Sequence, residues 1–178
     1  SPNCSFDSIL DIIKGPDFPT GALACGKKGI IEAFKTGRGK IVIKSKYEIS
    51  ESKGKKQILI TEIPFEVNKA LLVKKIDEIR IDKKVEGIIE VRDESDLENP
   101  ETIVIDLKKD ADVNLIINYL LKNTDMQVSY NYNMVAIVNH RPMVLGIMPI
   151  IDAYITHNKE VITRRTKFDL DAALAEEH

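Results

Sequence analysis

The sequence contains no tryptophan, only two cysteines and three histidines, and no long apolar run. A membrane helix needs roughly 18 or more consecutive apolar residues, so these residues predict no membrane span. Cys4 and Cys25 have neither CxxC nor metal-ligand spacing, and we interpret them as free thiols in a reducing cytosol. His140, His157 and His178 are scattered along the chain and predict no metal site.

The charges are segregated along the chain, although the formal net charge is only -2. Residues 27–56 contain ten lysines and arginines against three glutamates, a local net charge of +7. Residues 86–112 contain ten acids against three bases, a local net charge of −7. We expect one end of the molecule to be basic and another acidic. The acids at 93–101 lack the spacing of an EF-hand and are interpreted as a polar hairpin turn.

The 178 residues, 43% of them hydrophobic, can form one domain or one domain plus an appendage. Hydrophobic periodicity predicts strands over 40–50, 57–63, 85–92, 102–108, 126–132, 134–139 and 143–145, and helices over 6–13, 28–35, 68–84 and 112–122. Asn68 is a predicted N-cap, and either Asp110 or Asp112 caps the last of these helices. This order predicts an α+β fold, with an antiparallel sheet and helices packed on one face.

A different pattern begins at Ile147, where apolar residues recur at steps of three and four for about 30 residues. It predicts the start of a long coiled-coil helix. The portion from Thr163 onward is too polar to be buried alone, so we expect it to need a partner helix. We also expect the chain to continue at both ends within a longer protein.

The loop Gly37-Arg38-Gly39-Lys40 has two interpretations. Glycines and cations could cradle a phosphate, or the loop could be a helix C-cap followed by a turn into a strand. It lacks the Walker spacing and leads into a strand, which argues against a nucleotide site. Contact with a polyanion backbone stays open.

Six cations near this loop are candidate DNA-binding residues. Lys40, Lys44 and Lys46 share one face of the predicted strand, and further cations lie nearby. Together they could neutralise several phosphates of a duplex, but lysines on an edge strand also serve simply to block aggregation. Both interpretations stay open. The six residues are Lys27, Lys28, Arg38, Lys40, Lys44 and Lys46. None of Tyr119, Tyr130, Tyr132 and Tyr154 has a basic residue immediately before it that would activate it, and no catalytic residue is predicted.

Six ordered motifs resemble the A subunit of bacterial type IIA DNA topoisomerases. They are Gly-Pro-Asp-Phe-Pro-Thr at 15–20, Thr-Gly-Arg-Gly-Lys at 36–40, Glu-Ile-Pro-Phe-Glu-Val-Asn-Lys at 62–69, Val-Glu-Gly-Ile at 85–88, Arg-Asp-Glu-Ser-Asp at 92–96 and Glu-Val-Ile-Thr-Arg-Arg-Thr at 160–166. Tyr130-Asn131 stands where the gyrase protein usually has Phe-Gly. The chain is therefore more similar to the topoisomerase IV protein than to the gyrase protein.

The resemblance implies a tail and linker from a winged-helix DNA-cleavage domain over 1–25, an α+β tower domain over 26–146, and the start of a coiled coil over 147–178. It places the catalytic tyrosine in the preceding domain, and the Mg²⁺-binding acids and the ATPase on the B subunit, so this piece alone should hold no cofactor and cleave nothing. The parent enzyme passes one duplex through a double-strand break in another, as an A2B2 assembly in the bacterial cytoplasm, associated with the chromosome.

By this resemblance, residues 38–46 would support and contact the bent duplex. Three alternatives stay open: a structural spacer without DNA contact, the equivalent region of gyrase, and an enzyme that acts on a phosphate metabolite through the Arg38 loop.

Overall fold

The structure, a computed structural model, describes residues 4–52, 54–95 and 102–176. Within these residues the chain forms five helices and nine strands. In order they are α1 Phe6–Ile12, β1 Leu23–Cys25, α2 Lys27–Thr36, β2 Arg38–Lys44, β3 Lys46–Ser52, β4 Lys55–Glu62, α3 Lys69–Ile81, β5 Ile88–Asp93, β6 Ile103–Leu107, α4 Val113–Asn123, β7 Gln127–Asn133, β8 Val135–Val138, β9 Arg141–Val144 and α5 Ile147–Glu176. Lys53, the part of the acidic turn at 96–101, and His178 lie outside the described residues.

The strands form three sheets, with orders β1-β2-β7, β3-β4-β6-β5 and β8-β9. The four-stranded sheet is antiparallel throughout. The predicted α+β class and the long C-terminal helix are confirmed, with the strands divided among three sheets rather than gathered in one. The short strand β1 was not predicted. Cys4 and Cys25 are free thiols, as expected.

The chain divides into two compact units. Unit 1 contains Ser1–Asp11, Lys28–Lys40 and Asn131–His178, and unit 2 contains Ile12–Lys27 and Ile41–Tyr130. Unit 2 therefore holds the four-stranded sheet with α3 and α4, whereas unit 1 holds most of α2, the β8–β9 hairpin and α5.

The core of unit 2 lies between one face of the four-stranded sheet and the helices α3 and α4. Alternate residues of β4 and β6, including Ile58 and Ile105, pack with Ile76 of α3 and Ile116 of α4, and all four are fully buried. The period of two in the strands and of about 3.6 in the helices brings these side chains to a common layer. This is the arrangement that the hydrophobic pattern predicts.

Side-chain caps fix where the two core helices begin. Asn68 Oδ1 accepts a hydrogen bond from the Leu71 amide at 3.1 Å, and Asp112 Oδ1 accepts one from the Leu115 amide at 3.1 Å. Each cap satisfies an N–H group that has no partner inside the helix. The predicted Asn68 cap is confirmed, and Asp112 rather than Asp110 caps α4.

The prediction of one continuous strand over residues 40–50 was wrong. The segment breaks at Ser45, so that β2 joins the three-stranded sheet and β3 joins the four-stranded sheet. Ser45 is completely buried, and its amide donates to the carbonyl of Met126 at 2.8 Å. At the break, the Ser45 amide thus bonds to Met126 and not to a neighbouring strand of either sheet. As a result Lys46 does not share a strand with Lys40 and Lys44.

Helix α5, which belongs to unit 1, buries little apolar surface. Within the described span of this helix, Ile147 is the only buried residue. In the same unit, Phe34 of α2 is buried and the Lys35 ammonium lies 5.4 Å from the centre of the Phe6 ring. A cation over an aromatic face at this distance is attracted by the ring quadrupole. The contact ties α1 to α2.

Candidate nucleic-acid interface

The turn between α2 and β2 holds Arg38 in an exposed position. Thr36 Oγ1 donates to the Glu32 carbonyl at 2.9 Å or the Arg38 carbonyl at 2.8 Å, and accepts from the Arg38 amide at 3.2 Å. Gly37 has φ +81° and lies against the backbone of Leu145, where a Cβ would collide. Only glycine fits such a position without strain. The backbone at Arg38 is therefore well fixed while its side chain stays in solvent.

The same contacts argue against the phosphate cradle. The Gly37 amide donates to the Ala33 carbonyl at 2.8 Å, as expected of a glycine that follows a helix, and the Arg38 amide donates to Thr36. Two of the amides that a phosphate would need are thus already used. The helix C-cap interpretation of this loop is confirmed.

Strand β2 alternates between buried and solvent-facing residues. Ile41 and Ile43 are buried, whereas Lys40 is exposed and Lys44 is partly exposed. Because residues at even spacing project from the same face of a strand, Lys40 and Lys44 share the face opposite the isoleucines. This part of the predicted lysine face is present.

Lys27 and Lys28 are the first two residues of α2, and both are exposed. The N-terminus of a helix carries a partial positive charge, so two lysines there add to a potential that is already positive. Cations at this end do not stabilise the helix. They make it a place to which a phosphate would be attracted.

Lys46 differs from the other candidates because it has an ion-pair partner. Its ammonium lies 3.0 Å from Glu62 Oε1. The other carboxylate oxygen, Oε2, accepts a hydrogen bond from the Ala22 amide at 2.5 Å. The pKa of Glu62 is lowered, first by the Ala22 hydrogen bond and then by Lys46. We call Glu62 with these two partners the Glu62 clasp. It was not predicted from the sequence.

An aromatic cluster lies in the same unit as the clasp. The ring of Phe18 lies 5.9 Å from that of Phe65 and 5.4 Å from that of Tyr130, and Phe65 lies 6.1 Å from Tyr130. Edge-to-face pairs at such distances contribute beyond their buried area. With the clasp, the cluster joins the segment 15–22 to the start of the turn that precedes α3. Two motifs that are distant in sequence are thus in contact.

A third contact joins Lys69, at the start of α3, to the end of β5. Its ammonium lies 3.2 Å from Asp93 Oδ2 and donates to Ser95 Oγ at 2.7 Å. The pKa of Asp93 is lowered, mainly by the hydrogen bond from the Ser95 hydroxyl, and Lys69 lowers it further. The motifs at 62–69 and 92–96 therefore meet, although Asp96 itself lies outside the described residues. These two motifs carry part of the family resemblance, but the contact between them was not predicted from the sequence.

Neither a metal cluster nor a membrane helix is present in the part of the chain that the structure describes. That part contains no group of three or more His, Cys, Asp or Glu side chains that could hold a metal ion. None of its helices is both long and apolar enough to cross a membrane.

The whole chain, residues 1–178, matches the sequence profile of a family described as the A subunit of DNA gyrase/topoisomerase IV. The chain belongs to this family. Its relatives include the DNA topoisomerase 4 A subunit of Bacillus subtilis (strain 168), which is 57% identical over 178 residues, covering 99% of this chain and 22% of the relative. The protein of the same name from Streptococcus pneumoniae serotype 4 is 52% identical over 173 residues, covering 97% and 21%. That from Staphylococcus epidermidis is 51% identical over 173 residues, covering 97% and 22%.

Membership of the gyrase/topoisomerase IV A-subunit family confirms the resemblance, including its topoisomerase IV character, since these three relatives carry that name. The chain spans about a fifth of the length of the curated relatives it matches. In this member of the family, the motif residues Phe18, Glu62, Phe65 and Lys69 all make contacts that join separate segments of unit 2.

Proposed function

We propose that this chain is the tower region of a topoisomerase IV-like A subunit, and that it supports and contacts the bent duplex during ATP-dependent double-strand passage. Family membership supports the parent activity. The parent would act in the bacterial cytoplasm, associated with the chromosome, as an A2B2 assembly of two A subunits with two B subunits. Residues outside this span would supply the catalytic tyrosine, and the B subunit would supply the Mg²⁺ site and the ATPase.

The observation that carries the DNA contact is the contrast between Lys46 and the other five candidates. Among the described residues, an ion pair engages Lys46, while none engages Lys27, Lys28, Arg38, Lys40 or Lys44. Their positive charge is therefore uncompensated by close neighbours in that part of the structure. Duplex DNA is a dense array of negative charge, and binding to it is driven by release of condensed counterions.

The contacts we propose are with phosphates, so they would position the duplex without reading its sequence. Arg38 and Lys40 lie in unit 1 at the start of β2, and Lys44 lies in unit 2 at its end. Lys46 is expected to contribute least, because a phosphate would have to compete with Glu62. Neutralising about four phosphates predicts a slope of roughly −3.6 in a plot of log affinity against log salt concentration.

The test is a fluorescence anisotropy titration of a labelled duplex at several salt concentrations. One variant combines Arg38→Gln, Lys40→Gln and Lys44→Gln. The matched control combines Lys84→Gln, Lys108→Gln and Lys109→Gln, which remove the same charge from exposed positions elsewhere. If all three contacts exist, the slope of the first variant is reduced in magnitude by about 2.7. Equal affinities and equal slopes for the two variants would refute the contact.

A structural spacer without DNA contact is the second candidate. The Glu62 clasp and the aromatic cluster favour it, since they bind segments of unit 2 together without leaving Lys46 free. Under this alternative, both triple variants, placed in the full-length protein, bend and bind DNA as the unchanged protein does. Measuring DNA bending by energy transfer between dyes at the duplex ends separates the two functions.

A further inference from the structure

Lys46 and Glu62 meet because strand pairing places them opposite each other. Lys46 is the first residue of β3 and Glu62 is the last residue of β4, and the register of these antiparallel strands makes them partners. Side chains directly opposite on neighbouring strands lie within reach of each other. The register then shifts between Lys46 and Tyr47, and an irregularity of this kind re-aims the side chains beside it. The backbone therefore sets the ion pair.

The Glu62 carboxylate is also held from its other side. Its Oε2 accepts the hydrogen bond from the Ala22 amide, and a Cβ on Gly21 would collide with the same carboxylate. Gly21 has φ +71° and Ala22 has φ +70°. A positive φ is unfavourable for alanine, and such conformations persist where the surrounding structure determines them. The segment at 21–22 thus fixes the carboxylate beside Lys46 without help from the lysine.

The ion pair changes the charge of the surface more than it changes the stability of the fold. Both side chains reach solvent, and water screens an ion pair that is so exposed. The pair nevertheless compensates one of the six candidate cations. Lys44, two residues earlier, has no ion pair in the part of the chain that the structure describes. Lys44, Lys46 and Glu62 all belong to unit 2.

Little rearrangement is needed to displace Glu62 from Lys46. The ammonium contacts Oε1 and the Ala22 amide contacts Oε2, so the carboxylate keeps its backbone hydrogen bond when the ammonium leaves. The ammonium has three N–H donors and lies at the end of a flexible four-carbon stem. It can therefore turn from the carboxylate to a phosphate oxygen while the rest of the Glu62 clasp stays in place.

We propose that Glu62 is an autoinhibitory residue, which occupies Lys46 in the DNA-free chain and is displaced from it by a phosphate of the bound duplex. This inference rests on the proposed function, since it concerns the same duplex, and it adds a role for Glu62. The competition lowers the affinity for DNA without removing a phosphate contact. The duplex is then released more readily, because differences in affinity at one interface lie mostly in the dissociation rate.

The experiment is a fluorescence anisotropy titration of a labelled duplex at several salt concentrations. It compares the unchanged chain with Glu62→Gln, Lys46→Met and the double variant. Glutamine keeps an oxygen that can accept from the Ala22 amide but has no charge to hold Lys46. Glu62→Gln is expected to bind about twofold more tightly, the contribution of an exposed ion pair, with the salt slope nearly unchanged. Lys46→Met is expected to reduce the slope in magnitude by about 0.9, the value for one phosphate.

The double variant tests whether the effect of Glu62 depends on Lys46. If Glu62 acts by occupying this lysine, Glu62→Gln has no effect on affinity in the chain that already carries Lys46→Met. A gain in affinity that persists without Lys46 would be a general effect of removing a negative charge, and it would overturn the proposal.

The other outcomes separate this inference from the proposed function. If Lys46→Met leaves the slope unchanged and Glu62→Gln makes it steeper, Glu62 blocks Lys46 permanently and the displacement is refuted. Equal affinities of Glu62→Gln and the unchanged chain also overturn the inference. In either case, a reduced slope for the Arg38, Lys40 and Lys44 variant still supports the proposed function. Absence of any binding by the unchanged chain at low salt overturns both proposals.

Discussion

Replacing Glu62 with alanine should lower the free energy of unfolding by about 2 kcal/mol at neutral pH. A hydrogen bond to a charged group contributes about 1.5–3 kcal/mol, and the lower end applies to the Ala22 bond because the Glu62 side chain is 31% exposed. The Lys46 ion pair adds only about 0.5 kcal/mol, because the Lys46 side chain is 48% exposed and well screened by solvent. The corresponding fall in melting temperature is about 4–8 °C.

The contribution of Glu62 to the free energy of unfolding should decrease as the pH falls. The pKa of Glu62 is lowered in the folded chain from its ordinary value near 4.5, first by the Ala22 hydrogen bond and then by Lys46. A carboxylate with a lowered pKa stabilises the fold above its unfolded pKa, and this stabilisation is lost as the pH falls through the folded value. The stability difference between the unchanged chain and Glu62→Gln should therefore narrow as the pH falls below about 4.5.

Urea unfolding followed by far-ultraviolet circular dichroism, at neutral pH and near pH 4, measures both effects. Lys46→Met is the matched control, since it removes the ion pair and leaves the Ala22 hydrogen bond intact. It should cost about 0.5 kcal/mol. The reasoning fails if Glu62→Ala and Lys46→Met are equally stable, or if the difference for Glu62→Gln is the same at both pH values.

Three further changes test the turns and caps. Gly21→Ala should destabilise the chain more than Gly26→Ala does: both glycines have positive φ, but a Cβ at Gly21 would collide with Glu62 and one at Gly26 meets nothing within 4 Å. Thermal unfolding of the two variants would show the contrast, and equal melting temperatures would contradict it. Asn68→Ala should cost about 1 kcal/mol in urea unfolding and Asn68→Asp almost nothing, because aspartate also caps a helix. His140→Gly should stabilise the hairpin by about 1 kcal/mol through relief of its positive φ, seen as slower amide hydrogen exchange in β8 and β9.

The local features of the fold could be predicted from the sequence because local chemistry specifies them. Asn68 is followed by Leu72, Ile76 and Ile79 at helical spacing, and the structure caps and buries α3 through these residues. The glycine at 37 similarly indicates the end of α2, and its amide makes the expected hydrogen bond to Ala33. Such signals depend on residues within one or two turns of each other.

The break at Ser45 could not be predicted in this way. Ile41, Ile43, Tyr47 and Ile49 keep the same period of two on both sides of Ser45, so the pattern indicates one strand. The break is made by a hydrogen bond to Met126, far away in the sequence. The ion pair of Lys46 with Glu62 likewise depends on how β3 and β4 pair. The candidate site was therefore predicted as a set of cations, but the difference between Lys46 and the rest needed the tertiary structure.

The exposure of α5 has a consequence for how the chain melts. A helix of 30 residues is about 45 Å long, and beyond Ile147 none of the side chains described in it is buried. Isolated helices unwind gradually over a wide temperature range, whereas a packed core melts as a unit. Far-ultraviolet ellipticity should therefore begin to decline well below the temperature at which calorimetry records the main absorption of heat.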